Sequence, residues 1–195
     1  MLYDVIIVGG GLAGLTASIC LSEAGLSVLV LEKNAYPNHK VCGEYVSNEV
    51  RPFLEQLGLD LNGLGAVPIH NFSISNQKGK VFRAKLPLGG FGISRYALDD
   101  ALYQLALSKG VGFQFNTVTS IKREKKTFTV HTKDETYQST LVLGAHGKRS
   151  NLDKSMSRPF IEGKSPWLGI KGHYRMDDFP VDHVMLHCFP GGYGG

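Results

Sequence analysis

Apolar positions recur with two different spacings along the chain. Tyr3 to Val8 is a short run rich in β-branched residues, the pattern of a strand covered on both faces. Leu12 to Ala24 then repeats at helical spacing through Leu12, Leu15 and Ile19. Ala13, Ala17 and Ser18 are small enough for close packing, and Gly25 predicts a C-terminal cap. Leu26 to Leu31 reads as a second buried strand. A β-α-β unit of about thirty residues makes its two strands parallel.

Beyond residue 32 the pattern loosens. Lys33 to Tyr45 is a polar loop, and Val50 to Leu57 predicts a short helix stopped by Gly58. His70–Ser75 and Lys80–Ala84 alternate around Asn76-Gln77-Lys78-Gly79, which predicts a hairpin. Ser94 to Ser108 is the second strong helix, with Leu98, Leu102, Leu105 and Ala106 on one face and Gly110 after it. Val111 to Leu143 reads as several short strands, with a hairpin turn at Lys133-Asp134-Glu135. Leu168–Tyr174 and His183–Cys188 read as two further strands. The chain then stops on Phe189-Pro190-Gly191-Gly192-Tyr193-Gly194-Gly195, a glycine-rich turn with nothing to anchor it, and the expectation is a piece of a longer protein.

Composition narrows the classes. Apolar content of 43% and charged content of 19% are those of a globular chain. The net charge is only +4, and the densest basic run, Lys122-Arg123-Glu124-Lys125-Lys126, falls between β-like segments as a solvated hairpin or loop. Basic and aromatic residues do not interleave, so no nucleic-acid partner is expected. Val5 to Ser22 carries no charge and is long enough to suggest a membrane span, but Asp4 precedes it and four glycines interrupt it; no integral membrane segment is expected. Cys20, Cys42 and Cys188 form neither a disulfide framework nor a metal pattern, which points to a reducing, cytoplasmic setting.

The candidate chemistry lies between the first strand and helix. Gly9-Gly10-Gly11-Leu12-Ala13-Gly14 fits Gly-x-Gly-x-x-Gly, and Glu32 ends the next strand 18 residues after Gly14. Gly9 allows the tight turn, Gly11 lets a pyrophosphate approach the backbone, and Gly14 lets helix and strand pack closely. The helix opening at Leu12 aims its free N–H groups and roughly half a positive charge at that pyrophosphate. Glu32, followed by Lys33, would accept hydrogen bonds from ribose hydroxyls, and its charge disfavours the 2′-phosphate of NADP. These residues alone leave FAD and NAD unresolved.

Three later stretches resemble the flavoprotein monooxygenase superfamily of the aromatic-hydroxylase type, and within it the geranylgeranyl reductase and halogenase-like branch. His39-Lys40-Val41-Cys42-Gly43-Glu44 resembles the Cys-Gly loop beside the flavin, which makes the backbone around Lys40, Cys42 and Gly43 a flavin contact. Arg95-Tyr96-Ala97-Leu98-Asp99 resembles the family's Arg-x-x-Leu-Asp helix opening, which places Arg95 near the ribityl and pyrophosphate region and leaves Asp99 a helix-stabilising role. Leu143-Gly144-Ala145-His146-Gly147-Lys148-Arg149-Ser150 resembles the Gly-Ala-Asp-Gly segment, with His146 in place of the aspartate. That departure weighs against direct NAD(P)H use, although NAD(P)H remains a candidate transient reductant beside a separate reductase partner. Val118 matches the strand position beside the adenine.

The resemblance implies an α/β fold: a Rossmann-like FAD-binding βαβ domain with an inserted or following, mostly β substrate domain, incomplete at the C-terminus. The FAD-binding part is expected at 1–65 and 90–158, and the substrate part at 66–89 and 159–195. It implies an FAD-dependent oxidoreductase that reduces a double bond, or uses oxygen to hydroxylate or halogenate. The substrate is a small apolar or aromatic molecule, met by Phe72, Phe82, Trp167, Tyr174 and Phe189. The family's further Gly-Asp-Ala-Ala-like flavin segment is not found in these residues, so weak FAD retention is expected. Two other readings stay open: an NAD-dependent dehydrogenase, and an inactive fragment. No catalytic acid or base is assigned, and no metal.

Overall fold

The computed structural model describes residues 2–148, 150–161, 163 and 167–195, and the chain divides into two compact units, Met1–Asn38 with Asp99–Leu168 and His39–Leu98 with Gly169–Gly195.

In the first unit β1 (Leu2–Val8), α1 (Leu12–Glu23) and β2 (Val28–Glu32) form the expected crossover, with Ile6 opposite Leu29 and Val8 opposite Leu31 in parallel register. Every residue from Val5 to Val8 and from Val28 to Glu32 is buried, as a run without polar alternation requires. Each such apolar side chain stabilises the fold by about 1.5–3 kcal/mol. α1 packs against both strands and carries the buried Leu15 and Ile19. It closes through a Schellman-type end, in which Gly25 N–H donates to Ser22 O and Leu26 N–H to Leu21 O.

After α2 (Arg51–Gln56), β3 (Tyr45–Ser47), β4 (Val67–Ser75) and β5 (Val81–Gly92), all in the second unit, α3 (Arg95–Ser108) leads back to the first. There β6 (Gly112–Phe115), β7 (Val118–Glu124), β8 (Thr127–Thr132) and β9 (Thr136–Gly144) complete a six-stranded sheet of order β6-β2-β1-β9-β8-β7. β6 and β9 run parallel to the β1–β2 pair, whereas β7, β8 and β9 form an antiparallel meander. The expected turn at Lys133–Glu135 joins β8 to β9, and the basic run ends β7 and turns at Lys125. Ile6, Val8, Leu29, Leu31, Val118 and Val130 gather on one side of the sheet with Leu152 of α4 (Asn151–Ser155).

The second unit is a five-stranded sheet of order β11-β10-β4-β5-β3, with β10 (His183–Phe189) and β11 (Gly192–Gly194) completing it. The expected hairpin joins β4 to β5, and β5 continues well beyond the predicted Ala84 to pair with β3. That pairing is why residues 39–65 and 90–98 pack with this unit, although the sequence groups them with the dinucleotide-binding part. Two expectations are corrected. Leu168–Tyr174 forms no strand; Leu168, Ile170 and Tyr174 are exposed, and the segment joins no ladder among the described residues. The terminal residues are not a loose turn either, because β11 pairs antiparallel with β10, His187 opposite Gly194. No helix among the described residues is long and apolar enough to cross a membrane.

Candidate functional site

The tips of three parallel strands meet at the glycine turn. Gly9 N–H donates to Leu31 O at 2.9 Å, and Ala145 N–H donates to Val8 O at 2.8 Å, so β2, β1 and β9 end together. Gly9 has φ +105°, and a Cβ there would lie 2.4 Å from Ala145 O; one on Gly14 would lie 1.9 Å from Gly9 O. The two glycines therefore have the turning and packing tasks that their spacing predicts. At Gly11 a Cβ would meet nothing within 4 Å, which leaves the space before α1 open. No side chain caps α1 and no acidic residue sits in its first turn, so the N–H groups opening at Leu12 and Ala13 keep their affinity for an anion.

Glu32 closes the other side. It is buried, and its carboxylate accepts from Gly10 N–H at 2.7 Å and from Asn34 N–H at 3.1 Å. The sequence reading missed what stands over it. Tyr36 donates its hydroxyl to Gly10 O, stacks on Tyr103 at 4.5 Å, and meets Phe113 and Phe115 edge-on. A Cβ on Gly10 would collide with that hydroxyl, so Tyr36 by itself already requires glycine at this position. Burial raises the Tyr36 hydroxyl far above the ordinary tyrosine range, with Glu32, Asp99 and Tyr103 adding to it. Only the aromatic character of Tyr36, Tyr103, Phe113 and Phe115 hinted at this cluster, and nothing in their spacing joins them.

Behind the turn lies a cleft of about 200 Å³ whose walls include Gly9, Glu32, Lys33, Val118, His146 and Leu152. Three positions drawn from separate arguments, Glu32, Lys33 and Val118, thus line one space. His146 adds more than a polar turn. Its Nε2 stands 3.3 Å from Oδ2 of the buried Asp153, which Arg158 also approaches at 3.2 Å. Its Nδ1 is buried and has no hydrogen-bond partner among the described residues. The open space at Gly11, the uncapped helix and the unsatisfied imidazole nitrogen together fit the ADP portion of a dinucleotide. Arg149 lies outside the described residues.

Lys40, Cys42, Gly43 and Arg95 belong to the second unit. Glu44 organises them. Its backbone takes φ +57°, a left-handed conformation that costs a residue with a side chain about 1–2 kcal/mol. Its carbonyl accepts from Ile93 N–H at 3.0 Å, and its carboxylate accepts from Arg95 N–H at 2.7 Å, from Lys171 Nζ, and from His173 Nε2 at 3.1 Å. The Cys-Gly loop and the Arg95 helix opening, which resemble the family separately, are thereby tied to each other. Burial alone would raise the Glu44 pKa. The hydrogen bonds from Lys171, Arg95 N–H and His173 outweigh it and hold the carboxyl below the ordinary carboxylate range. Cys42 Sγ only accepts a weak bond from Glu44 N–H at 3.4 Å.

The chain matches the FAD binding domain family over residues 2–191. An FAD-dependent monooxygenase of Aspergillus fumigatus, spyC, is 31% identical over 199 residues, covering 94% of this chain and 41% of that protein. The FAD-dependent monooxygenase ausM of Emericella nidulans is 34% identical over 167 residues, covering 79% of this chain and 34% of its own length. Among solved structures, the myxobacterial chondrochloren halogenase CndH superposes with a TM-score of 0.75 at 18% identity, covering 98% of this chain and 49% of that one. The flavin-dependent brominase Bmp2 superposes with a TM-score of 0.67 at 24% identity, covering 83% and 41%. At such identities the structural likeness shows the fold. The chain thus spans about two fifths of the length of the curated relatives it matches. With the family matched across nearly all of its residues, the chain belongs to the FAD binding domain family, to which FAD-dependent monooxygenases are related, and FAD is its cofactor.

Proposed function

We propose that this chain is the dinucleotide-holding portion, with part of the substrate surface, of an FAD-dependent oxidoreductase acting on an apolar or aromatic small molecule. One observation carries the reading. The open glycine turn before the uncapped α1 and the cleft shared by Glu32 and Val118 stand at the same strand ends, in a chain matched to an FAD-binding family. In this reading Gly9 to Gly14 with the N-terminus of α1 hold the pyrophosphate. Glu32 and Lys33 meet the ribose, and Val118 covers the adenine. The loop backbone at Lys40, Cys42 and Gly43 contacts the flavin, with Arg95 toward the ribityl and phosphate region. Bound flavin supplies the electron-transfer chemistry; the chain's residues bind and orient it and carry no assigned acid or base.

The functional domains remain those set out from the sequence, with the substrate part in the second sheet. Cross-strand register supports this. Phe72, Ala84 and Val184 form one row, and Ile74, Phe82 and Leu186 form the next. Beside them lies a cleft of about 340 Å³ that Ile74, Val81, Phe82 and Cys188 help to line. Phe82 is 63% exposed, which suits an apolar ligand face. Of the other expected aromatics, Phe189 folds over Gly192, while Trp167 and Tyr174 stand outside any strand. The monooxygenase names of the curated relatives favour oxygen-dependent chemistry over double-bond reduction. His146 in place of an acidic residue favours a separate reductase partner over direct NAD(P)H binding, in a cytoplasmic setting.

The test is a titration with FAD, NAD and NADP in turn, followed by flavin absorbance and by quenching of Trp167. Saturable binding of FAD, with a Glu32→Ala variant weaker by about ten-fold, is the expected result. Binding of NAD without FAD would replace the flavoprotein reading with a dehydrogenase one.

A further inference from the structure

The strands of the second sheet carry charge of one sign. β3, β4, β5, β10 and β11 contain no aspartate or glutamate, and none occurs anywhere between Asp60 and Asp99. Within that stretch Lys78, Lys80, Arg83 and Lys85 lie on the β4–β5 hairpin. These are four of 21 basic residues, and the other 17 are matched by 17 acidic ones, so the chain outside the hairpin is balanced. All four are exposed, and none forms an ion pair among the described residues. Asp182, which leads into β10, is engaged by Asn71 Nδ2 at 2.7 Å.

The same hairpin has an open edge. β3 covers β5 only from Gly90 to Gly92, and next to it the Asn48 amide and the Tyr45 hydroxyl donate to the carbonyls of Leu88 and Gly89. From Val81 to Leu86, about 20 Å of strand, β5 pairs with β4 alone among the described residues. Alternate backbone N–H and C=O groups there face outward without a ladder. Arg83 stands opposite Ser73 and Lys85 opposite Asn71, so both cations project from one face of this edge. Pro87, which has no N–H to offer, ends it. A second copy would bring Arg83 and Lys85 against their own kind, which like-charge repulsion opposes.

We propose that the Val81–Leu86 edge of β5 receives an extended acidic segment of a partner protein as an added strand. The backbone of the segment completes the open ladder, and its alternate carboxylates meet Arg83 and Lys85 on the cationic face. A guanidinium and an ammonium two residues apart match an acidic side chain at every second position. Lys78 and Lys80 at the turn extend the attraction past the end of the ladder. The proposal is independent of the oxidoreductase reading and of bound cofactor.

A fluorescein-labelled hexapeptide of alternating glutamate and valine, titrated into the chain and followed by anisotropy, tests this. Saturable binding that weakens as salt rises is the expected result. The lysine–valine counterpart binds at least about ten-fold more weakly. Two further peptides separate the ladder from the charge, one N-methylated at every valine and the other at every glutamate. Successive N–H groups of a strand point to opposite sides, so one pattern weakens binding by about ten-fold or more and the other leaves it within about two-fold. Arg83→Glu with Lys85→Glu, both exposed, reverses the preference toward the lysine peptide. Lys122→Glu with Lys126→Glu, on the β7–β8 hairpin, retains the original preference. No saturable binding, equal binding of the lysine peptide, or equal effects of the two methylation patterns overturns the proposal. So does displacement of the peptide by phosphatidylserine vesicles that bind more tightly through Arg83 and Lys85, which assigns the edge to a membrane surface.

Discussion

The two units hold their candidate sites in different ways. In the first, the site is a matter of backbone against backbone: strand ends are bonded to one another and the glycine carbonyl sits where a Cβ on Gly14 would be. In the second, the site is a matter of side chains. The Glu44 carboxylate joins a loop, a helix start and an extended segment that share no ladder. Burial follows the same division. The central strands β1 and β2 bury apolar residues on both faces, whereas in the β4–β5 hairpin Ser73 and Ser75 are buried while Val81 and Phe82 are exposed. The turn at Gly9 and Gly14 tolerates no added atom, whereas the loop at Gly43 has room for one, and the Glu44 carboxylate makes the second site responsive to acid.

A matched pair of substitutions should separate them most sharply. Gly14→Ala places a methyl 1.9 Å from Gly9 O, so helix and strand must part, at a cost of about 3 kcal/mol or more. Gly43→Ala, with nothing within 4 Å of the new Cβ, should change stability by less than about 0.5 kcal/mol. Thermal unfolding of the two variants is the measurement. Similar losses in both would show that the second loop is as tightly packed as the glycine turn. An intact melting curve for Gly43→Ala combined with weakened FAD binding would support the flavin contact proposed there.

The same contrast explains what the sequence revealed. Val5–Val8, Gly9–Gly14 and Glu32 are legible because a buried parallel strand, a glycine turn and a following acidic residue are contiguous and each has its own signature. Lys33 follows Glu32 directly, and Val118 is placed on the same cleft by the family resemblance rather than by any local period. Tyr36, Asp153 and Arg158 were not legible, because their roles arise from meetings across the chain that no local period records. Leu168–Tyr174 misled for a related reason. Its composition is strand-like, but a strand also needs a partner, and composition does not supply one. Glu44 ends the Cys-Gly motif, yet two of its three donors, Lys171 and His173, arrive from more than 120 residues away.

Glu44→Gln should produce the next largest effect. The amide keeps the shape but loses the charge that Lys171 and His173 meet, which should cost about 2 kcal/mol at neutral pH. The pH dependence has a fixed sign. The folded carboxyl has a pKa below its ordinary value of 4.5, so its stabilisation is fully present above that value. It is lost as pH falls through the lower, folded pKa. Acid unfolding of the unaltered chain should therefore gain a component below pH 4.5 that Glu44→Gln lacks. Parallel acid limbs in the two proteins would mean that the Glu44 hub is not what ties the second unit together.

Tyr36→Phe should be the mildest of the three, and it tests whether side chains matter in the first unit at all. The ring remains stacked on Tyr103, so the packing survives and only the bond to Gly10 O is lost, about 1 kcal/mol. The sign at high pH runs opposite to that of Glu44. Burial keeps the Tyr36 hydroxyl protonated well beyond its ordinary 10.0, so folding favours the bound proton and the unfolded chain gives it up first. Stability tied to Tyr36 is thus complete below pH 10 and declines as pH rises past it. The phenylalanine variant should start lower at neutral pH and fall less steeply in alkali, so that the two denaturation midpoints converge. If they stay a constant distance apart, the hydroxyl is not buried against Gly10 in solution. The glycine turn would then be held by its backbone alone, and the division between the two units would be sharper than the structure draws it.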